Sequence, residues 1–363
     1  MMDFGLITEG NTLGGTLTVQ QRYQEIVEAA VLADKCGFYV FGAGEQHFVE
    51  PLCTISSGEI ILACLAKLTQ RIRLRTTIMV LPFHNPVAMA ERIASIDVLS
   101  GGRVEFGSGK GNNVLAADVF DVDLSHAATI WREELDVMIK AWSCDRFSHD
   151  GAHYKIPDIR LSPNVLQKPH PPLWSAAISP ASHAQAGRLG MGVMSLTVSV
   201  TLPQLERRIA AYKDAIRHAE PLAGVVNDRV SVFCQMHCAE TDELAREQAR
   251  DPMLEYMREA VDLYAEMLHR QGQQVDFTKT RETISDFDLC DRTNMILVGK
   301  PETLIEKIRQ YETIGVDEMF IRMDGMPHEQ TMRSIELIGK HVIPAFNASP
   351  RAALGRTGAV ATR

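Results

Sequence analysis

The sequence predicts an α/β fold, a (β/α)8 TIM barrel, and three observations lead there. Short β-rich runs alternate with longer amphipathic segments along the whole chain, which is the pattern of repeated βα units around a parallel sheet. Eight such runs can be counted, more than a short doubly wound sheet requires. A hydrophobic fraction of 45% supplies a core large enough for one barrel, so the expectation is a single domain over 1–345 and a flexible C-terminal tail over 346–363.

Each element follows from local pattern. Residues 3–8 read as a strand, 19–36 as a helix with Ile26, Ala29, Ala30 and Ala33 on one face, 38–43 as a strand and 57–69 as a helix. A third strand spans 72–80, Pro86 opens a helix over 86–99, and a fourth strand covers 103–108. After a helix at 128–144, the stretch 145–171 carries His149-Asp150-Gly151 and several prolines and reads as an excursion with short extra strands. Strands at 173–177, 192–197, 229–238 and 316–323 complete the count, with helices at 180–189, 203–219, from about 241, 301–314 and 329–342 between and after them. The polar stretch 269–292, rich in Gln, Thr and Asp, reads as a lid-like insertion, with a solvated surface loop as the alternative.

Charge and cysteine usage exclude several classes. A net charge of -9 gives no footprint for nucleic acid. The N-terminus lacks the basic region and cleavage site of a signal peptide, and nowhere do eighteen apolar residues run together, so neither export nor membrane spanning is expected. Seven cysteines, an odd number scattered through apolar surroundings, fit a reducing cytoplasm better than a disulfide scaffold. Cys234, His237 and Cys238 lack a second cluster that would complete a zinc site, and neither a Gly-x-Ser-x-Gly elbow nor a His-Glu-x-x-His helix is present. No metal is expected.

In such a barrel the chemistry lies where strands end, and four ends stand out. Strand two runs into Gly44-Glu45-Gln46-His47-Phe48, and extended geometry puts Glu45 and His47 on one side. An acid and an imidazole there can bind a ligand's polar edge or move a proton, or simply form a hydrogen-bonded pair lining the mouth. Strand three leads to the turn Pro82-Phe83-His84-Asn85-Pro86, and strand four to Gly107-Ser108-Gly109-Lys110-Gly111, which fits neither a Walker loop nor a dinucleotide fingerprint. Past strand five, Ser179 suits an N-cap, Pro180 the first helical position and Ser182 the third. That helix start can hold a phosphate with Lys110 beside it, or be a plain serine cap.

Glu45-Gln46-His47-Phe48, the run from Ile72 to Pro86, the block Leu99-Ser100-Gly101-Gly102-Arg103-Val104-Glu105-Phe106-Gly107-Ser108-Gly109-Lys110-Gly111, and Val298-Gly299-Lys300-Pro301-Glu302 together resemble the bacterial-luciferase-like flavin-dependent monooxygenases, over about 2–345. The resemblance implies a barrel enzyme in which reduced FMN and dioxygen form a C4a-peroxyflavin that oxygenates a small organic substrate. It implies a bulged or cis peptide at Thr77-Ile78 against the flavin ring, and the FMN phosphate on Lys110, Ser179 and Ser182, in agreement with the helix-cap reasoning. Glu45, Gln46 and His47 take the catalytic position. Because no second nucleotide-binding domain is visible, a separate flavin reductase is the expected source of reduced FMN. Pairing into a homodimer through helices two and three is also implied by the resemblance.

Two departures stand against the family pattern. Luciferases have Glu-His-His where this chain has Glu45-Gln46-His47, and Gln46 cannot titrate, which leaves His47 as the acid/base candidate. Lys110 replaces an arginine and loses bidentate geometry to phosphate. A deazaflavin-dependent oxidoreductase on the same barrel and a non-catalytic flavin-binding protein are the alternative readings.

Overall fold

The computed structural model describes residues 2–221 and 223–347. Most of the tail expected over 346–363 therefore lies outside the described residues. In chain order the elements are β1 Asp3–Thr8, α1 Val19–Lys35, β2 Val40–Ala43, α2 Gly58–Leu68, β3 Arg73–Thr76, β4 Met79–Val80, α3 Pro86–Ser100, β5 Val104–Gly109, α4 Val114–Val119 and α5 Ala127–Ser143. There follow β6 Phe147–Asp150, β7 Lys155–Ile159, β8 Leu173–Ala176, α6 Pro180–Arg188, β9 Gly192–Leu196, α7 Leu202–Ile216, β10 Val230–Cys238 and α8 Asp242–Arg270. The chain continues through α9 Thr278–Ser285, α10 Phe287–Arg292, β11 Ile296–Gly299, α11 Pro301–Thr313, β12 Glu318–Arg322, α12 His328–Leu337 and α13 Ile343–Asn347.

Eight parallel strands close on themselves in the order β1-β2-β3-β5-β8-β9-β10-β12, with β12 returning to β1 and helices around the outside. This is the (β/α)8 barrel that the alternating pattern predicts, and all eight expected strands are in it. Closure removes every free edge from this ring.

Inward-facing side chains fill the barrel in layers. At the floor, Arg75 lies between two glutamates: its Nη2 is 2.5 Å from Glu105 Oε2, and its Nη1 is 2.6 Å from Glu318 Oε1. The guanidinium stacks 3.8 Å from the Trp174 ring. Above it Phe320 occupies the space left by two glycines, since a Cβ at Gly42 would come within 2.4 Å of its ring, and one at Gly5 would meet the same ring. Arg322, two residues further along β12, forms the next layer at the mouth.

Four details depart from the expected elements. The third strand breaks into β3 and β4 at a cis Thr77–Ile78 peptide, so 72–80 is not one continuous run. β11 is an additional short strand that pairs with the end of β10, Gln235 opposite Ile296, and α4 is an additional helix capped by Asn113. The excursion over 145–171 does contain its extra strands, the antiparallel hairpin β6–β7. The lid-like insertion near 269–292 is largely helical: α9 and α10 bury Ile284, Phe287 and Cys290 against α8. Polar composition hid this, because three apolar residues at helical spacing suffice to dock a short helix once a neighbour supplies the other face.

Candidate active site

The ends of β1, β2, β3, β4 and β5 surround a cleft open to solvent, with about 90 Å³ of water-accessible space and with Glu9, Glu45, His47, Thr77, Phe83 and Asn113 among its lining residues. Gly44, Gln46, Ile78 and Gly111 also face it. The location is the one the barrel fold dictates, outside the C-terminal ends of the strands.

Glu45 is the hub of one wall. Its Oε1 accepts from His47 Nε2 at 3.0 Å and from His84 Nε2 at 2.9 Å, while its Oε2 accepts from the Val80 N–H at 2.8 Å. A carboxylate only accepts, so both imidazoles carry their proton on Nε2 when neutral and keep Nδ1 as the lone-pair nitrogen. Burial alone pushes the Glu45 carboxyl upward, but the hydrogen bonds from His47 and His84, with the Val80 N–H, outweigh it and hold the group below its ordinary value. Glu45 is therefore ionised at neutral pH. Phe83 and Phe120 pack on the His47 ring with centroids 6.0 and 4.9 Å away, and Asn113 Nδ2 donates to the His47 carbonyl.

Thr77 and Ile78 form the facing wall. Thr77 Oγ1 is buried without a partner, and the backbone is bare of side chains at Gly44 and Gly111. At Gly111, φ is +72° and a Cβ would come within 2.5 Å of Val80 Cγ1. An unpartnered hydroxyl beside side-chain-free backbone fits a heteroaromatic ring carrying polar edges.

Further along the rim, β5 pairs with β8 through Ser108 and Ser175, so Lys110 and Ser179 leave the barrel from adjacent strands. Ser179 caps α6 with Pro180 at the first position, and Ser179 and Ser182 form a reciprocal capping box, as the sequence spacing predicts. Lys110 is exposed.

The structure thus brings Glu45 and His47 together and puts Gln46, Thr77 and Ile78 on the same cleft; Lys110, Ser179 and Ser182 lie on the neighbouring rim. Sequence reasoning gave no role to His84 or Glu9. His84 was visible only as part of a proline-bounded turn, whereas Glu9 sits one residue past β1, an end the strand rule covers but which carries no motif.

Comparison with known proteins decides the family: the model of the luciferase-like monooxygenases matches residues 2–318. The chain belongs to the luciferase-like monooxygenase family. By class it is a flavin monooxygenase. The oxygenase component of the flavin-dependent trigonelline monooxygenase of Acinetobacter baylyi is 26% identical over 355 residues, covering 96% of each chain. The oxygenating constituent of 3,6-diketocamphane monooxygenase from Pseudomonas putida, solved in complex with FMN, shares the fold with a TM-score of 0.78 at 22% identity, over 95% of this chain and 98% of that one. The family neighbourhood is not confined to oxygenases. The F420-dependent glucose-6-phosphate dehydrogenase of Mycolicibacterium fortuitum is 25% identical over 335 residues, 88% of this chain and 93% of its own. No helix among the described residues is long and apolar enough to cross a membrane.

Proposed function

We propose that this luciferase-like monooxygenase is the oxygenase half of a two-component system, taking reduced FMN from a separate flavin reductase and using dioxygen to oxygenate a small organic substrate. The carrying observation is the cleft itself, which Thr77, with its unpartnered hydroxyl, and Ile78 line together with the ionised Glu45 and its imidazole partner His47. The trigonelline enzyme, named as an oxygenase component, supports the division of labour.

In this reading Thr77, Ile78, Gly44 and Gly111 hold the isoalloxazine ring. Lys110, with the α6 N-terminus and the Ser179 and Ser182 hydroxyls, holds the phosphate. When bound, reduced FMN supplies the two electrons that divide dioxygen between substrate and water. The chain's own groups orient and move protons. Glu45 fixes the tautomer and angle of His47 and His84, whose Nδ1 atoms are the bases; Gln46 contributes an amide that hydrogen-bonds without titrating. Phe83 and Phe120 limit water at His47. The exposed Ile60 and Leu68 on α2 and Val98 and Leu99 on α3 supply an apolar face for a homodimer, and the seven cysteines, without a disulfide among the described residues, suit the cytoplasm.

Steady-state oxygen uptake tests the division of labour. The purified chain with FMN and NAD(P)H alone should consume no more oxygen than a blank, and adding an unrelated flavin reductase with substrate should start turnover. Rapid NAD(P)H oxidation by the chain alone would remove the two-component reading.

A further inference from the structure

Resting on that reading of the cleft, we propose that Glu9 is its catalytic acid, holding a proton opposite the Glu45 cluster and giving it to the oxygen atom that leaves as water. Glu9 follows β1 directly and lines the same cleft as Glu45, His47 and Thr77. Its main chain is clamped from two sides: the N–H donates to Asp324 Oδ2 at 2.6 Å, and the carbonyl accepts from the N–H groups of Thr54 and Ile55. The side chain therefore starts from a fixed point.

What sets Glu9 apart is how little of it is used in holding the fold. Arg322 touches it once, Nε to Oε2 at 3.0 Å, while the Nη1 of the same guanidinium donates to the Asp324 carbonyl and its Nη2, buried, has no partner. A glutamate placed to neutralise a buried arginine engages two of its nitrogens, as Glu105 engages Nε and Nη2 of Arg75 and Glu318 engages Nη1 and Nη2. Glu9 does not, and the rest of its carboxyl is left to the cleft and to Tyr256.

The groups facing Glu9 are Arg322 at the end of β12 and Asp324 just past it, Tyr256 on α8 and Cys53 in the segment after β2, with Arg22 on α1 behind Asp324 through their ion pair and Glu259 on α8 behind Cys53 and Arg322. Glu45, already ionised and paired with imidazoles, lies across the cleft. Burial raises the Glu9 carboxyl above its ordinary value, the Asp324 charge adds to this, and Arg322 and Tyr256 oppose without cancelling it. Two carboxyls in one cleft are thus pushed in opposite directions, one towards holding a proton and one towards carrying charge, the arrangement that separates an acid from its counterpart.

The proton balance closes. The reduced cofactor brings two electrons and two protons; one oxygen atom of dioxygen goes to the substrate and the other departs as water. Glu9 gives its proton to the departing oxygen and regains one from the cofactor's return to its oxidised form, so nothing on the protein is consumed.

The test uses Glu9→Gln, Glu9→Asp and Tyr256→Phe in the full chain with three readouts: affinity for oxidised FMN, the pH profile of substrate oxygenation, and infrared titration of the FMN-free protein. An acid must be protonated to act, so the rate should fall as pH rises through the Glu9 pKa. Glu9→Gln should bind FMN within about threefold of wild type, lose ~100-fold or more in rate and lose that alkaline limb. Glu9→Asp should keep a limb, and Tyr256→Phe, which removes a hydrogen bond favouring the ionised form, should move it upward. In the infrared, the protonated-carboxyl signal that persists above the usual carboxylate range should be smaller in Glu9→Gln than in wild type by one carboxyl, with the Glu134 band present in both. A Glu9→Gln chain that binds FMN and keeps both rate and limb overturns the proposal. So does a protonated-carboxyl signal that is the same in Glu9→Gln as in wild type, even in a preparation that binds no FMN, an outcome that would separately remove the cofactor reading.

Discussion

Two arginines face the inside of the same barrel, Arg75 at the floor and Arg322 at the mouth, and they are satisfied very differently. Both are fully buried. Arg75 gives two hydrogen bonds each to Glu105 and to Glu318 and stacks on Trp174, so every charge in that layer has a partner. Arg322 stacks on Tyr256 at 3.5 Å but leaves one nitrogen unpartnered and shares only a single contact with Glu9, which opens onto the cleft. Complete pairing makes the floor a structural layer, and incomplete pairing at the mouth leaves proton-holding capacity where substrate arrives. A barrel of this kind stores its stability and its chemistry in successive layers of the same strands.

The sharpest way to break that contrast is to unpair the floor. Arg75→Met leaves Glu318 buried without the cation it bonds and Glu105 with Arg73 alone, and should cost about 3–5 kcal/mol in denaturant unfolding, while FMN affinity of the folded fraction changes little. The same layer sets acid stability. Burial pushes Glu105 upward, but Arg75 and Arg73 dominate and lower it from 4.5 to about 2. A depressed folded pKa means that this contribution is complete above about 4.5 and is lost as pH falls towards 2, which an acid titration followed by circular dichroism should register.

At the mouth the effects should appear in chemistry before stability. Glu45→Gln removes the shared acceptor of two imidazoles and should lower the oxygenation rate ~100-fold with FMN affinity held within a few-fold, as measured by stopped-flow absorbance and fluorescence quenching. An equal loss of binding and rate would instead make Glu45 a flavin-positioning group. Lys110→Ala should weaken FMN binding by about 10- to 100-fold, the worth of one charged hydrogen bond, without altering the pH profile.

The smallest effect lies outside both layers, under the β6–β7 hairpin. Burial raises Glu134 from 4.5 to about 8, although the Tyr154 hydroxyl donates to it at 2.6 Å and opposes the shift. A raised carboxyl keeps its proton when folded, so its contribution diminishes as pH climbs from about 4.5 to 8. Glu134→Gln should therefore melt higher than wild type at the alkaline end of that window and match it at the acid end, by differential scanning fluorimetry.

Most of the barrel was legible because each strand announces itself by a short β-rich run between amphipathic helices, and the cap at Ser179-Pro180-x-Ser182 because a capping box is a local device. What escaped was non-local. His84 reaches Glu45 across 39 residues and Glu9 reaches Arg322 across 313, so no spacing in the chain marks either pair. The helices within 269–292 escaped for a related reason, since Phe287 and Cys290 become an apolar face only against α8.

Competitive binding under anaerobic conditions, reduced FMN against reduced deazaflavin on the purified chain, followed by rapid mixing with oxygenated buffer and substrate, tests the central claim most directly. Preference for FMN, dependence of that affinity on Lys110, and substrate-dependent oxygen uptake are the expected results. Tighter binding of the deazaflavin with no oxygen uptake would contradict the oxygenase reading and make the barrel a hydride-transfer enzyme.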